Sequence, residues 1–198
     1  EFDGFIFNHN ESVLYEWVEE NEPELFKKIQ KLVKEGKWHI FGGWYLQPDC
    51  IMPSGESLIR QIETGSRYFA EKFGVRTKTA ANVDSFGHTK GLVQILKKCG
   101  FEHYIFHRPY NIVDEENFIW KGYDGSEIIG HRAYGSYNSG KGKATEKIDR
   151  LLNDAVDGPN MLLWGIGDHG GGPSEIDLER IDEYIKNLAG KELLSAGM

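Results

Sequence analysis

The feature that most constrains this 198-residue chain is the regular exchange, along its whole length, of short apolar runs with amphipathic stretches of helical spacing. Phe5-Ile6-Phe7, "KWHIFGG", "TKTAANV", "EHYIFH" and "NMLLWGIG" read as strands. Between them, Val13, Leu14, Trp17 and Val18 recur at helical spacing, as do Leu25, Phe26, Ile29, Leu32 and Val33. Pro23 suits a first helical turn and Gly36 a stop. Ser54 to Gly74, "GLVQILKKCG" and Thr145 to Val156 read as helices. A last helix begins at Ser174, where Asp177 completes a capping-box pattern, and runs to about Leu188. "NFIWKGYDGSEIIGHRA" predicts a hairpin turning at Asp124-Gly125. Strands alternating with helices imply an α/β fold with a mainly parallel sheet and crossovers on its faces. One domain over residues 1–198 is the expectation.

Composition narrows the partners. The formal charge is −8, from 23 Lys and Arg against 31 Asp and Glu, and no basic cluster offsets it. A nucleic acid or an anionic membrane is therefore not the expected partner, and a neutral ligand fits better. No apolar stretch is long enough to span a bilayer. The 5 Trp, 9 Tyr and 11 Phe serve either core packing or a sugar-stacking surface, and composition does not choose. Only Cys50 and Cys99 are present, without a CxxC spacing, which predicts a reduced, cytoplasmic setting. The opening "EFDGFIFNHN" reads as a strand already under way, so a piece of a longer polypeptide is expected.

In parallel sheets ligands bind outside the carboxyl ends of the strands. Those ends carry Trp44 and Asp49, then Asp84 and His88, then Arg108 and Tyr110, then Asp168 and His169. Asp is common at turns, so some of these are expected to be turn residues only. Asp84 and Asp168 together supply the two carboxylates that glycosidic cleavage needs. A carboxylate beside histidines is also a donor mixture that Zn²⁺ accepts. For His88, a structural hydrogen-bonding role is favoured over ligation. His103 and His107 share a strand face among aromatic neighbours, which favours packing. "GGGPS" opens a helix and offers either an anion cradle or a tight turn, but lacks the ending of a nucleotide loop.

The ordered series "GGWYLQPDCIMPSGESLIRQ", "NVDSFGHTKGLVQIL", "FIWKGYDGSEI" and "GIGDHGGGPS" resembles glycoside hydrolase family 38, the retaining, zinc-dependent α-mannosidases, nearest its bacterial and cytosolic branch. The resemblance implies a seven-stranded β/α-barrel, incomplete in this chain. It implies a mannose-containing oligosaccharide as substrate. Asp84 matches the aspartate that is both nucleophile and zinc ligand. Where the Golgi-type branch has two adjacent aspartates this chain has Asp168-His169, so the general acid/base expected is Asp168, the alternative being a residue elsewhere. Trp44 resembles a residue lining the mannose subsite, and Arg108 and Tyr137 resemble substrate contacts. The family's other zinc donors, a His-x-Asp pair and a further histidine, have no match here. The isolated chain is therefore expected to hold an incomplete zinc site and to be inactive. Its open strand edges would invite self-association into a homo-oligomer. The competing readings are a metal-dependent carbohydrate deacetylase on a similar barrel, for which His103-x-x-x-His107 is a faint echo, and a non-catalytic carbohydrate-binding fragment.

Overall fold

The computed structural model describes residues 2, 4–109, 115–154, 160–167 and 171–188. Their order is β1 (Phe7–His9), α1 (Ser12–Asn21), α2 (Pro23–Lys34), β2 (Trp38–Ile40), α3 (Gly55–Phe73), β3 (Thr79–Asn82), α4 (Gly91–Lys98), β4 (His103–Phe106), β5 (Asn117–Lys121), β6 (Glu127–Arg132), α5 (Ala144–Asp154) and α6 (Glu175–Asn187). The fold is mixed α/β. The described residues divide into two compact units, one drawn from 6–132 and the other from those before 6 and after 132. Among the described residues no helix is long and apolar enough to cross a membrane.

In the larger unit, β1 and β2 pair in parallel, and β3, β4 and β6 form a parallel set with β5 antiparallel on the edge. The turn between β5 and β6 is the expected one, with Gly125 at φ 83°. The helices end by local rules. Ser54 caps α3 by accepting the Ser57 N–H, and Gly74 closes it in the left-handed region at φ 69°. Leu58 and Ile62 of α3 and Leu92, Val93 and Leu96 of α4 meet Tyr104, Phe106 and Ile128 from the sheet in one buried cluster. A second cluster joins Tyr15, Phe26, Ile29, Ile40, Tyr68 and Phe69.

Three expectations need correction. The first strand lies at Phe7–His9, and Phe5 instead sits against Trp164, ring centroids 6.3 Å apart, in the smaller unit. Among the described residues the expected strand "NMLLWGIG" forms only single bridges, Ser139 to Ile166 and Ile166 to Gly172. Its Gly165, at φ 138°, interrupts the extended backbone a ladder would need. Finally, Ser174 caps α6 as expected, accepting the Asp177 N–H, but the Asp177 carboxylate does not close the box. It accepts from the backbone N–H groups of Gly142 (2.9 Å) and Ala144 (3.0 Å), and so serves the start of α5.

Gly65, in the middle of α3, decides how closely that helix approaches the loop after β2. A Cβ there would lie 2.3 Å from the Trp44 carbonyl carbon, 2.5 Å from the Tyr45 nitrogen and 2.6 Å from the Gly43 oxygen. All are backbone atoms that cannot swing aside. In an unobstructed helix Gly→Ala gains about 1 kcal/mol, whereas overpacking costs roughly 1–3 kcal/mol. With three backbone atoms this close the cost falls at the upper end, about 3 kcal/mol. Gly65→Ala is therefore expected to lower stability by about 2 kcal/mol net in urea unfolding, and a neutral or stabilising result would contradict this packing.

Candidate active site

The residues after β3 build the site. Asn82 and Ser85 are buried, while Asp84, between Val83 and Ser85, keeps 42% of its side chain exposed. The backbone around Asp84 is held by the segment after β2. The Trp44 indole N–H donates to the Ala81 carbonyl at 2.8 Å, and Val83 N–H donates to Gln47 Oε1 at 3.1 Å. The Asn82 amide donates to the Pro48 carbonyl at 2.5 Å, and Cys50 N–H donates to Ser85 Oγ at 3.2 Å. Ser85 Oγ in turn donates to the Gly87 carbonyl at 2.9 Å.

From the end of β4 comes Arg108. Its Nε lies 2.7 Å from Asp84 Oδ1, a charge pair without the alignment of a hydrogen bond. The guanidinium also covers the exposed Phe86 ring at 5.0 Å. The two strand ends are tied further by Arg108 N–H donating to the Val83 carbonyl at 3.3 Å. His88 completes the support. Its Nε2 meets the Arg108 carbonyl at 2.5 Å and its Nδ1 meets the Tyr104 hydroxyl at 2.9 Å. The carbonyl only accepts, so Nε2 carries the proton and Nδ1 accepts from Tyr104. Burial pushes the His88 imidazole below its ordinary value, in keeping with this neutral form.

Asp84 and Arg108 are thus brought together. Trp44 is not an open subsite residue, because it is fully buried and its ring offers no surface to a sugar. Its contribution is the bond to Ala81. Asp49 spends Oδ1 on the N–H groups of Ile51 (2.8 Å) and Met52 (2.7 Å), which makes it a turn residue. Tyr137 is half-buried in the smaller unit. Asp168, His169 and Tyr110 lie outside the described residues. His103 and His107 stand about 13 Å apart at the rise of an extended chain, too far to share one ion. The residues that sequence reasoning missed are Gln47 and Tyr104, whose polar ends reach Val83 and His88. Only their company in the quoted motifs hinted at them.

Zinc requires three or more converging donors. Among the described residues no group of three His, Cys, Asp or Glu side chains does so. Both ring nitrogens of His88 are already used, and Asp84 faces a guanidinium. The described residues do not amount to a zinc site.

Residues 1–195 match the glycosyl hydrolases family 38 N-terminal domain. The chain belongs to this family. It is 34% identical over 193 residues to alpha-mannosidase G of Dictyostelium discoideum, a match covering 94% of this chain and 18% of the relative. It is 30% identical over 184 residues to human alpha-mannosidase 2C1, covering 89% of this chain and 18% of the relative. The family 38 chain thus spans about a fifth of the length of these relatives. The crystal structure of an alpha-mannosidase from Enterococcus faecalis V583 shares its fold, with a TM-score of 0.82 at 19% identity, covering 99% of this chain and 24% of that one.

The His88 arrangement has a consequence for acid stability. A folded-state value below the unfolded value of about 6.5 means that the unfolded chain takes up the proton first as pH falls. The stability that neutral His88 contributes is present above about pH 6.5 and lost below it. His9, His39 and His131 are also lowered by burial and act in the same direction. Unfolding free energy should therefore fall between about pH 7 and pH 5, and His88→Gln should reduce the slope. A slope unaltered in that variant, measured by urea titration, would sink the neutral-imidazole assignment.

Proposed function

We propose that the chain belongs to the catalytic portion of a retaining, zinc-dependent α-mannosidase that hydrolyses terminal α-mannosyl linkages of oligosaccharides. The observation that carries this reading is Asp84: in a family 38 chain, a half-exposed carboxylate at the carboxyl end of a parallel strand, charge-paired with Arg108 from the adjacent strand. A carboxylate so placed has a rigid backbone and an accessible side chain, which suits a nucleophile.

In the proposed reaction, an Asp84 oxygen bonds to the anomeric carbon as the glycosidic C–O bond breaks, and Asp168 gives its proton to the departing oxygen. Asp168 then takes a proton from water, whose oxygen displaces Asp84 from the same carbon. Two inversions give retention. Arg108 orients Asp84 and offsets its charge in the free enzyme. Tyr137 contacts the sugar. Trp44 acts from beneath, through Ala81.

The further zinc donors, and the strands that complete a seven-stranded barrel, are proposed to come from outside the described residues. Free Cys50 and Cys99, whose thiols burial pushes up, suit a cytoplasmic setting. Membership of family 38 does not favour the deacetylase or the purely binding reading.

The test uses a polypeptide of the full length of the relatives and an aryl α-mannoside. Asp84→Asn should cost about a thousandfold or more in kcat with the fold intact, as loss of a covalent nucleophile does. Proton NMR of the first-formed sugar should show α-mannose. Activity within several-fold of the parent, or β-mannose first, would overturn the assignment. Chelation should abolish turnover of the full-length polypeptide. Calorimetric titration of the 198-residue chain should show no stoichiometric submicromolar zinc site, since one matched carboxylate gives little selectivity. A tight site lost in Asp84→Asn would show that the donors lie within these residues.

A further inference from the structure

Lys147 is a buried cation whose described partners are all uncharged. It sits on α5 with 9% of its surface exposed, and among the described residues no carboxylate pairs with it. Its ammonium donates instead to three backbone carbonyls, those of Ser136 and Leu163 closely and that of Asn138 at 3.4 Å. An ammonium has three protons, so the three acceptors match its donors. Burial alone still lowers Lys147 to about 8, so holding the charge here has a cost that the bonds only partly offset.

The acceptors come from two segments. Ser136 and Asn138 flank Tyr137, and Leu163 belongs to the 160–167 segment. The same two segments are joined again just beyond. Ser139 N–H donates to the Gly165 carbonyl at 2.7 Å, and Gly165 N–H donates to Ser139 Oγ at 3.3 Å. A Cβ on Gly167 would lie 2.3 Å from the Asn138 Cβ, so the two backbones run nearly in contact. The backbone carbonyls on both sides of Tyr137 are therefore held by one cation.

We propose that Lys147 is a positioning residue for the sugar site: it clamps the carbonyls on either side of Tyr137 and so fixes how that phenol is presented to the substrate. The proposal rests on the reading of Tyr137 as a substrate contact. It assigns Lys147 no contact with the sugar and no proton transfer.

The test compares the full-length polypeptide with its Lys147→Met, Tyr137→Phe and doubly substituted variants, by amide hydrogen exchange and by kinetics on an aryl α-mannoside. Lys147→Met should speed exchange at 136–139 roughly tenfold while leaving β3 and β4 unchanged, as a local opening does. KM should rise about fivefold with kcat nearly constant, because binding geometry rather than chemistry is lost. The double variant should show no larger KM than Tyr137→Phe alone, since both changes remove one contact. Exchange unaltered at 136–139 overturns the clamp whatever the kinetics. Faster exchange with additive KM effects overturns the link to Tyr137. Failure of the underlying reading looks different: the unsubstituted polypeptide would not turn over mannosides, or Tyr137→Phe would leave KM unmoved. If Lys147→Met does not fold, Lys147→Gln, neutral and too short to reach all three carbonyls, should show the same localised release, and unaltered exchange in it overturns the clamp.

Discussion

The arrangement around Asp84 depends on how β3 stops. A strand that ends inside a fold leaves buried peptide groups without ladder partners, and each must find another. Here the partners come from the segment after β2, 34 to 37 residues earlier in the chain. The Trp44 indole takes the Ala81 carbonyl, Gln47 takes the Val83 N–H, and Asn82 and Ser85 reach back to Pro48 and Cys50. The "GGWYLQPDC" and "NVDSFGH" stretches are therefore one structural piece. Asp84 lies between two residues anchored to it, so its backbone has little freedom even though its side chain meets water. A buried Trp suits the task because it fills core volume and brings one donor of fixed direction.

The Asp84–Arg108 pair adds orientation without immobilisation. Both side chains are more than a third exposed, so solvent screening holds the pair to about 1 kcal/mol or less. The absence of hydrogen-bond alignment points the same way. For the nucleophile proposed at Asp84 this is useful, because a carboxylate locked into a deep ion pair would have to break it before attacking. Arg108 itself is steadied from behind, through its carbonyl on His88 and its N–H on Val83, and over its face by Phe86. The charge can shift while its support does not.

Much of this was legible in the sequence, and the limits follow from which forces are local. Helix ends at Ser54 and Gly74 and the turn at Gly125 obey rules confined to a few residues, and they stand where pattern puts them. Asp177 shows the limit of the same rule. The Ser-x-x-Asp spacing identified a helix start, but spacing does not say where a carboxylate turns when a neighbouring helix offers two free N–H groups at Gly142 and Ala144. The run "NMLLWGIG" is apolar enough for a strand, yet a strand exists only where a partner ladder does, and Gly165 works against one. The family resemblance puts Trp44 at the mannose subsite, and a sequence does not show whether the face of such an aromatic is open or packed. Only the close approach of Gly65 of α3 to the Gly43–Tyr45 backbone makes it a core residue.

The same physical demand explains why a lysine, of all residues, is buried on α5. Where 160–167 fails to form a ladder, it and the Tyr137 loop bring carbonyls together without strand N–H groups to meet them. A hydroxyl or an amide would satisfy one or two such oxygens from one position. An ammonium satisfies three that converge on a point, and its charge strengthens each bond. Near β3 the loose ends are spread along the chain, and several neutral side chains each take one. Around Lys147 they converge, and a single cation takes them all at the cost of its own desolvation. Irregular backbone is thus stabilised in two ways in one chain, and in each case the residue held in place is one through which the family 38 resemblance reads contact with a sugar.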